Sequence, residues 1–221
     1  MIAAQFAAVV VIAYLLGSIP FGLIITRIAR GVDVRKYGSA KTGGANVMRV
    51  AGTKAGILTI ALDISKAAAA VLLAQAIVSP GIIIVSGVTL HYYQLAQVAA
   101  GLAVLAGHIW SVFLKFKGGR GVASFFGTLI PIFPPAAIFG GEVLAIVALN
   151  SKYVSLGSIV AALATVCLLI PMTILYNFSP IYLIYSLAAA ALIIYQHRGN
   201  ISRLRQGTER RMGDKSGEIS I

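Results

Sequence analysis

Acidic side chains are scarce in this sequence: 6 Asp and Glu stand against 18 Lys and Arg among 221 residues. They are scattered, so no aspartate cluster is available to hold a divalent metal, and a metal-dependent phospholipid headgroup transferase is a poor fit. Nor do the carboxylates fall into a Ser-His-Asp arrangement. The single cysteine, Cys167, lies in an apolar run, which excludes an internal disulfide and leaves redox chemistry without support. No pair of inverted repeats with broken helices is visible, so the mark of many carriers is missing too. Charged residues of both signs amount to 11% of the chain and hydrophobic residues to 59%. A soluble domain of this size cannot bury that much apolar surface. The chain reads as an all-α polytopic membrane protein, one domain over residues 1–221. Its first apolar run is not preceded by a basic segment and is expected to stay as a span, without cleavage. From about residue 212, the residues Gly213, Asp214, Ser216 and Gly217 predict a disordered tail.

Apolar runs occupy residues 2–25, 55–78, 80–114, 121–150, about 153–176 and 180–196. Gly17-Ser-Ile-Pro-Phe-Gly22 is expected to loosen the first run near its end and to leave backbone groups for neighbouring helices to satisfy. The 80–114 run is longer than one span needs, with Pro80 and Gly81 marking a turn and His91-Tyr-Tyr93 an interfacial aromatic step. Pro131, Pro134 and Pro135 interrupt 121–150, which reads as a hairpin with arms of about 13–15 residues, or about 20 Å of helix each. Glu142 is expected near the outer end of one arm. Cations cluster at 27–54, 115–120, 152 and 198–215. Keeping all of these clusters in the cytoplasm, as the positive-inside rule asks, requires an even number of crossings between them. The count is then seven transmembrane helices, with the N-terminus outside and the C-terminus cytoplasmic.

Two of the basic loops are also rich in glycine. Tyr37-Gly-Ser-Ala-Lys-Thr-Gly-Gly-Ala-Asn46 offers Gly38, Ser39, Lys41, Gly43 and Asn46 as backbone and side-chain donors, and Arg49 just beyond can fork onto a phosphate. In the stretch from Gly107 to Ala123, Lys115, Lys117 and Arg120 alternate with Gly118, Gly119 and Gly121 just ahead of a new helix, where the dipole and free N–H groups favour an anion. An ordinary basic turn explains either loop alone. Both in one small membrane protein argue for a phosphate site at the membrane surface. At the end of the last span, His197, Asn200 and Arg203 recur on one side of a helix, and all three can donate to a phosphate. Asp63 and Lys66, at i and i+3 within the second span, form an ion pair that is either structural or orients a cation of the site. His108, within a span, reads as a packing or hydrogen-bonding residue.

Taken in order, Gly17-Ser-Ile-Pro-Phe-Gly22, Gly38-Ser39 through Asn46 and Arg49, Asp63 with Lys66, Gly107-His108 through Lys115-Phe-Lys-Gly-Gly-Arg-Gly-Val-Ala123, Tyr153 to Ser158, and His197-Arg-x-Asn-Ile-x-Arg-Leu-x-x-Gly-x-Glu209 resemble the bacterial acyl-phosphate:glycerol-3-phosphate acyltransferases, the PlsY family. The resemblance implies transfer of a fatty acyl group from acyl phosphate to the sn-1 hydroxyl of glycerol-3-phosphate. The products are lysophosphatidic acid and phosphate, in the first step of phospholipid synthesis. It implies a seven-span enzyme of the bacterial inner membrane, active at the cytoplasmic face, without metal, coenzyme or nucleic acid. Ser39, Arg49, Arg120, His197 and Asn200 are then catalytic. Gly38, Lys41, Gly43, Asn46, Lys117, Gly118, Gly119, Gly121, Ser158 and Arg203 hold substrate phosphate, with Asp63, Lys66 and His108 in support.

The sequence departs from the family pattern in places. Ala40 and Lys41 stand where the family has Gly-Asn, Ala45 where it has a hydroxyl, and Arg120 where lysine is usual. About a dozen extra residues precede Gly107. Another phosphorylated acceptor, or a small anion transporter, are the alternatives. Acyl phosphate is already activated, so alignment of the reactants (about 7–11 kcal/mol at best) and donors aimed at the leaving phosphate (about 3 kcal/mol each) are what the protein must supply. Substrate-assisted proton transfer is expected, with His197 as the rival base.

Overall fold

The computed structural model describes residues 1–214. They form the helices α1 (Ile2–Ser18), α2 (Phe21–Arg30), α3 (Gly44–Ala51), α4 (Thr53–Ile77), α5 (Tyr92–Ile109), α6 (Val122–Ile132), α7 (Pro134–Ser151), α8 (Val154–Leu175), α9 (Pro180–Gln196) and α10 (Arg198–Arg205), with a two-stranded sheet between α4 and α5. Five stretches are long and apolar enough to cross a membrane: Ile2–Arg30, Thr53–Ile77, Tyr92–Leu114, Pro134–Ser151 and Val154–Leu175. α9 and α10, bent by 57° at His197, make a sixth, and α6 is apolar but only 11 residues long. The protein is a multi-pass helical membrane protein.

α5 stands between two apolar cores. On one side Val9 and Ala13 of α1 and Ala67, Ala70 and Val71 of α4 meet Ala96, Ala100 and Val104. On the other, Leu105 and Ile109 join Phe125 and Leu129 of α6, Ala161 and Ala162 of α8, and Tyr185, Ala189 and Ile193 of α9. Small residues dominate because lipid tails offer helices no hydrophobic reason to associate, so close backbone approach and dispersion must hold them. A Cβ on Gly17 would run into the backbone of Val104, and one on Gly107 into the carbonyl of Tyr14.

The break expected near the end of the first run is present. α1 stops at Ser18, two residues before Pro20, whose ring and missing N–H do not fit a helix interior. The carbonyls freed there are satisfied from other helices: Ser111 Oγ donates to Ser18 O at 2.6 Å and Lys66 Nζ to Ile19 O at 2.8 Å. Lys66 also sits 2.7 Å from Asp63, so the expected ion pair doubles as a clamp on the broken helix.

The run 80–114 is not one long apolar helix. Ile82–Val85 and Val88–His91 pair as antiparallel strands β1 and β2 around Ser86 and Gly87, both at positive φ. Four consecutive β-branched residues favour strand over helix, and the positive dihedrals close the tight turn. α5 therefore starts only at Tyr92, where the Gln94 side chain accepts from the His91 N–H. The 121–150 hairpin does form and turns at Phe133, but its arms are unequal at 11 and 18 residues. Glu142 thus lies midway along α7, exposed, and not near an outer end. Gln5 exchanges hydrogen bonds with Ser79 at the hairpin end of the bundle. The last described residues lie at the opposite end, where Met212 N–H donates to Lys152 O. The expected tail begins in this turn; residues 215–221 lie outside the described residues.

Gly107→Val is expected to force α1 and α5 apart at a cost of about 1–3 kcal/mol, seen as a lower Tm in detergent. Gly141→Ala, in the interior of α7 where an added Cβ meets nothing within 4 Å, is expected to raise Tm slightly, by about 0.4–1 kcal/mol of stability.

Candidate active site

At the end of the bundle where the basic loops gather, a cavity of about 200 Å³ is walled by residues from five separate segments, 39–49, 60–64, 120–126, 154–158 and 197–210, together with His108 and Leu144. Three helices begin at this wall. The first helical hydrogen bonds run to Gly43 O in α3, Gly121 O in α6 and Tyr153 O in α8. The N–H groups of Gly44 and Ala45, Val122 and Ala123, and Val154 and Ser155 therefore lack an intrahelical acceptor, and all six residues line the cavity. Gly121 holds φ +88°, a left-handed cap that lets the chain turn directly into α6.

Charge in the cavity is lopsided. Lys41, Arg49, Arg120, Arg203 and Arg210 face two carboxylates, Asp63 and Glu209. Asp63 is engaged by Lys66 and lies 3.5 Å from His108 Nδ1. Glu209 accepts from Asn200 Nδ2 at 2.6 Å, Arg203 Nε at 2.8 Å and Ser155 Oγ at 2.9 Å. Lys41, Arg49, Arg120 and Arg210 are left without a carboxylate partner among the described residues. Burial brings the Arg120 guanidinium down to about 10, with Glu209 pulling the other way and Arg203, Arg49 and Arg210 adding to the fall. Arg49 is lowered by burial and by Arg210, and Lys41 by burial and by Arg120 and Arg198. Arg120 Nε and Ser39 Oγ are buried without a hydrogen-bond partner.

Of the residues singled out from the sequence, Ser39, Lys41, Gly43, Asn46, Arg49, Asp63, His108, Arg120, Gly121, Ser158, His197, Asn200 and Arg203 meet on this wall. Gly38, Lys66, Lys117, Gly118 and Gly119 do not. The nest expected at Gly118 and Gly119 is closed: their N–H groups donate to Ile109 O and His108 O, both at 3.0 Å, while Lys117 points to the exterior. Lys66 is spent on Asp63 and Ile19.

Asn46 is a scaffold residue here. Its Nδ2 lies 3.0–3.2 Å from the carbonyls of Val34, Tyr37 and Lys41, and its Oδ1 accepts from the Ser39 N–H at 3.1 Å. Its amide has no donor left for a phosphate, and it shapes the loop that carries Ser39 and Lys41. His197 is corrected in a similar way. Nδ1 lies 2.8 Å from Ile193 O and so carries the proton, leaving Nε2 as an acceptor. Burial pushes the imidazole down to about 4, against the Ile193 hydrogen bond and with help from Arg120, so it is neutral and offers a lone pair in place of a donor. Asn200 acts on Glu209. That glutamate has no chemical role in the sequence reading; its visible signals there are its place at the end of the tail motif and an acid set among cations. Hydrogen bonds from Asn200, Ser155 and Arg203 outweigh burial and hold its carboxyl below the usual range.

Fold and cavity together define a multi-pass membrane protein built around a cation-rich pocket fed by three helix N-termini. A family model described as "Glycerol-3-phosphate acyltransferase" matches residues 7–207. The chain is 46% identical to glycerol-3-phosphate acyltransferase 3 of Dehalococcoides mccartyi over 218 residues, 98% of this chain and 100% of that protein. It is 40% identical over 209 residues to the glycerol-3-phosphate acyltransferase of Rubrobacter xylanophilus, covering 94% and 96%. Among solved structures it is similar to PlsY, an integral membrane glycerol 3-phosphate acyltransferase, in its glycerol 3-phosphate form, with TM-score 0.80, 36% identity and coverage of 94% and 96%. The lysophosphatidic acid form of PlsY gives TM-score 0.78 at 35% identity, covering 94% and 95%. The chain belongs to the glycerol-3-phosphate acyltransferase family.

Two outcomes are expected from the wall's geometry. The unfolded chain protonates His197 near 6.5 and the folded chain only near 4, so stability falls as pH drops between those values. His197→Gln should remove that part of the fall in a plot of Tm against pH. Ala40 holds φ +54°, a left-handed conformation costing about 1–2 kcal/mol for a residue with a Cβ. Glycine's extra unfolded-state entropy offsets about 0.4–1 kcal/mol of that. Ala40→Gly should therefore raise Tm slightly.

Proposed function

We propose that the protein transfers a fatty acyl group from acyl phosphate to the sn-1 hydroxyl of glycerol-3-phosphate, releasing lysophosphatidic acid and inorganic phosphate, as the first step of phospholipid synthesis. The observation that carries this reading is the split character of the cavity. Its polar side presents Lys41, Arg49, Arg120 and Arg210, without carboxylate partners among the described residues, and Ile60, Ile64, Val122, Phe126 and Leu144 form an apolar side. Two phosphate monoesters at neutral pH carry about −1.5 to −2 each, a total close to the charge of those four cations. The apolar side suits the start of an acyl chain.

In the reaction, the glycerol-3-phosphate hydroxyl oxygen attacks the acyl carbon, and the bond from that carbon to the phosphate oxygen breaks. The hydroxyl proton passes to an oxygen of the leaving phosphate. Arg120 and the N–H groups opening α6 stabilise the charge gathering on that phosphate, while Arg49 and Ser39 hold reactants in line. Neutral His197, with Nε2 free to accept, orients the hydroxyl. The membrane placement is part of the same proposal: seven crossings, with α6 and α9 added to the five long stretches, and the cavity on the cytoplasmic side of a bacterial inner membrane. Terminal segments at opposite ends of the bundle support an odd count.

The test uses purified protein with palmitoyl phosphate and glycerol-3-phosphate, following released phosphate. Release should require glycerol-3-phosphate and yield lysophosphatidic acid; acceptor-independent release would point to a hydrolase. Arg49→Ala and Arg120→Ala should each abolish turnover while the protein still inserts, and wild-type-like activity in either would remove the phosphate cradle.

A further inference from the structure

Arg210 is a cavity residue to which no motif or comparison assigns a role. Its position is dictated from both sides. Glu209 is buried and anchored by Ser155, Asn200 and Arg203. Beyond it, the Arg211 guanidinium lies 5.9 Å from the centre of the Tyr153 ring, and the Met212 N–H donates to Lys152 O at 2.6 Å. A strap pinned at 209 and again at 212 leaves residue 210 little freedom, and its side chain joins the cavity wall. Among the described residues it has no carboxylate in ion-pair contact. Its charge also acts on Arg49 and Arg120. Holding a third guanidinium against two others is unfavourable unless an anion comes between them.

We propose that Arg210, delivered by this C-terminal strap, is a substrate-binding residue that shares the phosphate of the water-soluble acceptor with Arg49. The proposal rests on the acyl-transfer reading above. Its choice of acceptor over donor follows from the cavity's two sides. The donor's chain belongs against Ile60, Ile64 and Phe126, which places its phosphate near half-buried Arg120. Arg210 is exposed at the solvent side, where a small soluble phosphate ester enters. Because the strap bonds to the turn before α8, it also ties acceptor binding to the α8 N-terminus.

The experiment is steady-state kinetics on the full chain with palmitoyl phosphate and glycerol-3-phosphate varied in turn. Arg210→Ala is expected to raise the acceptor KM about tenfold, the loss of one charge-assisted contact of about 1.4 kcal/mol, and to leave the donor KM within about twofold. Arg210→Lys should recover part of the loss. Arg205→Ala, which removes an exposed cation of α10 that is neither on the cavity wall nor an anchor of the strap, should keep the acceptor KM. Calorimetry with glycerol-3-phosphate alone should show the same weakening in Arg210→Ala, in protein whose gel-filtration profile matches wild type. An unchanged acceptor KM, a rise in the donor KM instead, or a lower kcat with both KM values intact would each overturn the assignment. A wild-type chain without acyl transfer would bring down the functional reading and this one with it. An active wild type indifferent to Arg210 would overturn only this one.

Discussion

Like charges held together at the edge of a membrane are the constraint on which this structure turns. Two cations about 4 Å apart repel by about 4 kcal/mol at the effective dielectric of a protein surface. Here four lie on one cavity wall with no carboxylate in ion-pair contact among the described residues, and Glu209 offsets only part of their repulsion. Both acids of the cavity are committed elsewhere, Asp63 to Lys66 and Glu209 to Arg203 and its neighbours. The three helix N-termini add partial positive charge in the same place. Such a wall is tolerable only if its supports are stiff, and its repulsion is released when an anion enters.

The supports are polar contacts that look redundant until the chain is followed through them. Asn46 spends its whole amide tying Val34, Tyr37, Ser39 and Lys41 into one loop. Lys66 and Ser111 rebuild the hydrogen bonds that α1 loses before Pro20. Glu209 links the tail, α8 and α10 in one cluster. Asn46 closes one loop on itself, Lys66, Ser111 and Glu209 join segments distant in sequence, and Asn46 and Glu209 are themselves part of the cavity wall. Below them, the small-residue contact of α1 with α5 fixes the depth of the floor that carries His108.

Much of this was legible in the sequence because it is periodic or local. The i, i+3 pair of Asp63 and Lys66, the break at Pro20 and the proline-marked turn near Phe133 follow from spacing and from the chemistry of single residues. The β-hairpin at 82–91 was missed although its β-branched residues favour a strand, because an uncharged run of isoleucine and valine has the hydropathy of a span whichever backbone it adopts. The roles of Asn46, Gly118 and Gly119 were misread for a different reason. A side chain or N–H that can bind phosphate can equally bind a carbonyl of its own chain, and only the fold says which acceptor is nearer. Glu209 was legible as part of a resemblance but not as chemistry, because its partners lie 6, 9 and 54 residues away.

The state of His197 bears on how the proposed reaction moves its proton. With Nδ1–H committed to Ile193 O, the ring gains nothing from a carboxylate behind it, and burial beside Arg120 resists a positive charge. An imidazole pushed down to about 4 is a weak base at neutral pH. It can accept a hydrogen bond from a hydroxyl and hold its oxygen lone pair toward the acyl carbon, but it gains little by taking the proton outright. A departing phosphate, whose second ionisation lies at about 6, is the stronger base and sits at the reacting bond already. In the proposed reaction, the cationic wall that draws two phosphate esters together also disfavours a protonated histidine, so the electrostatics proposed to bind the substrates steer the proton toward the substrate itself.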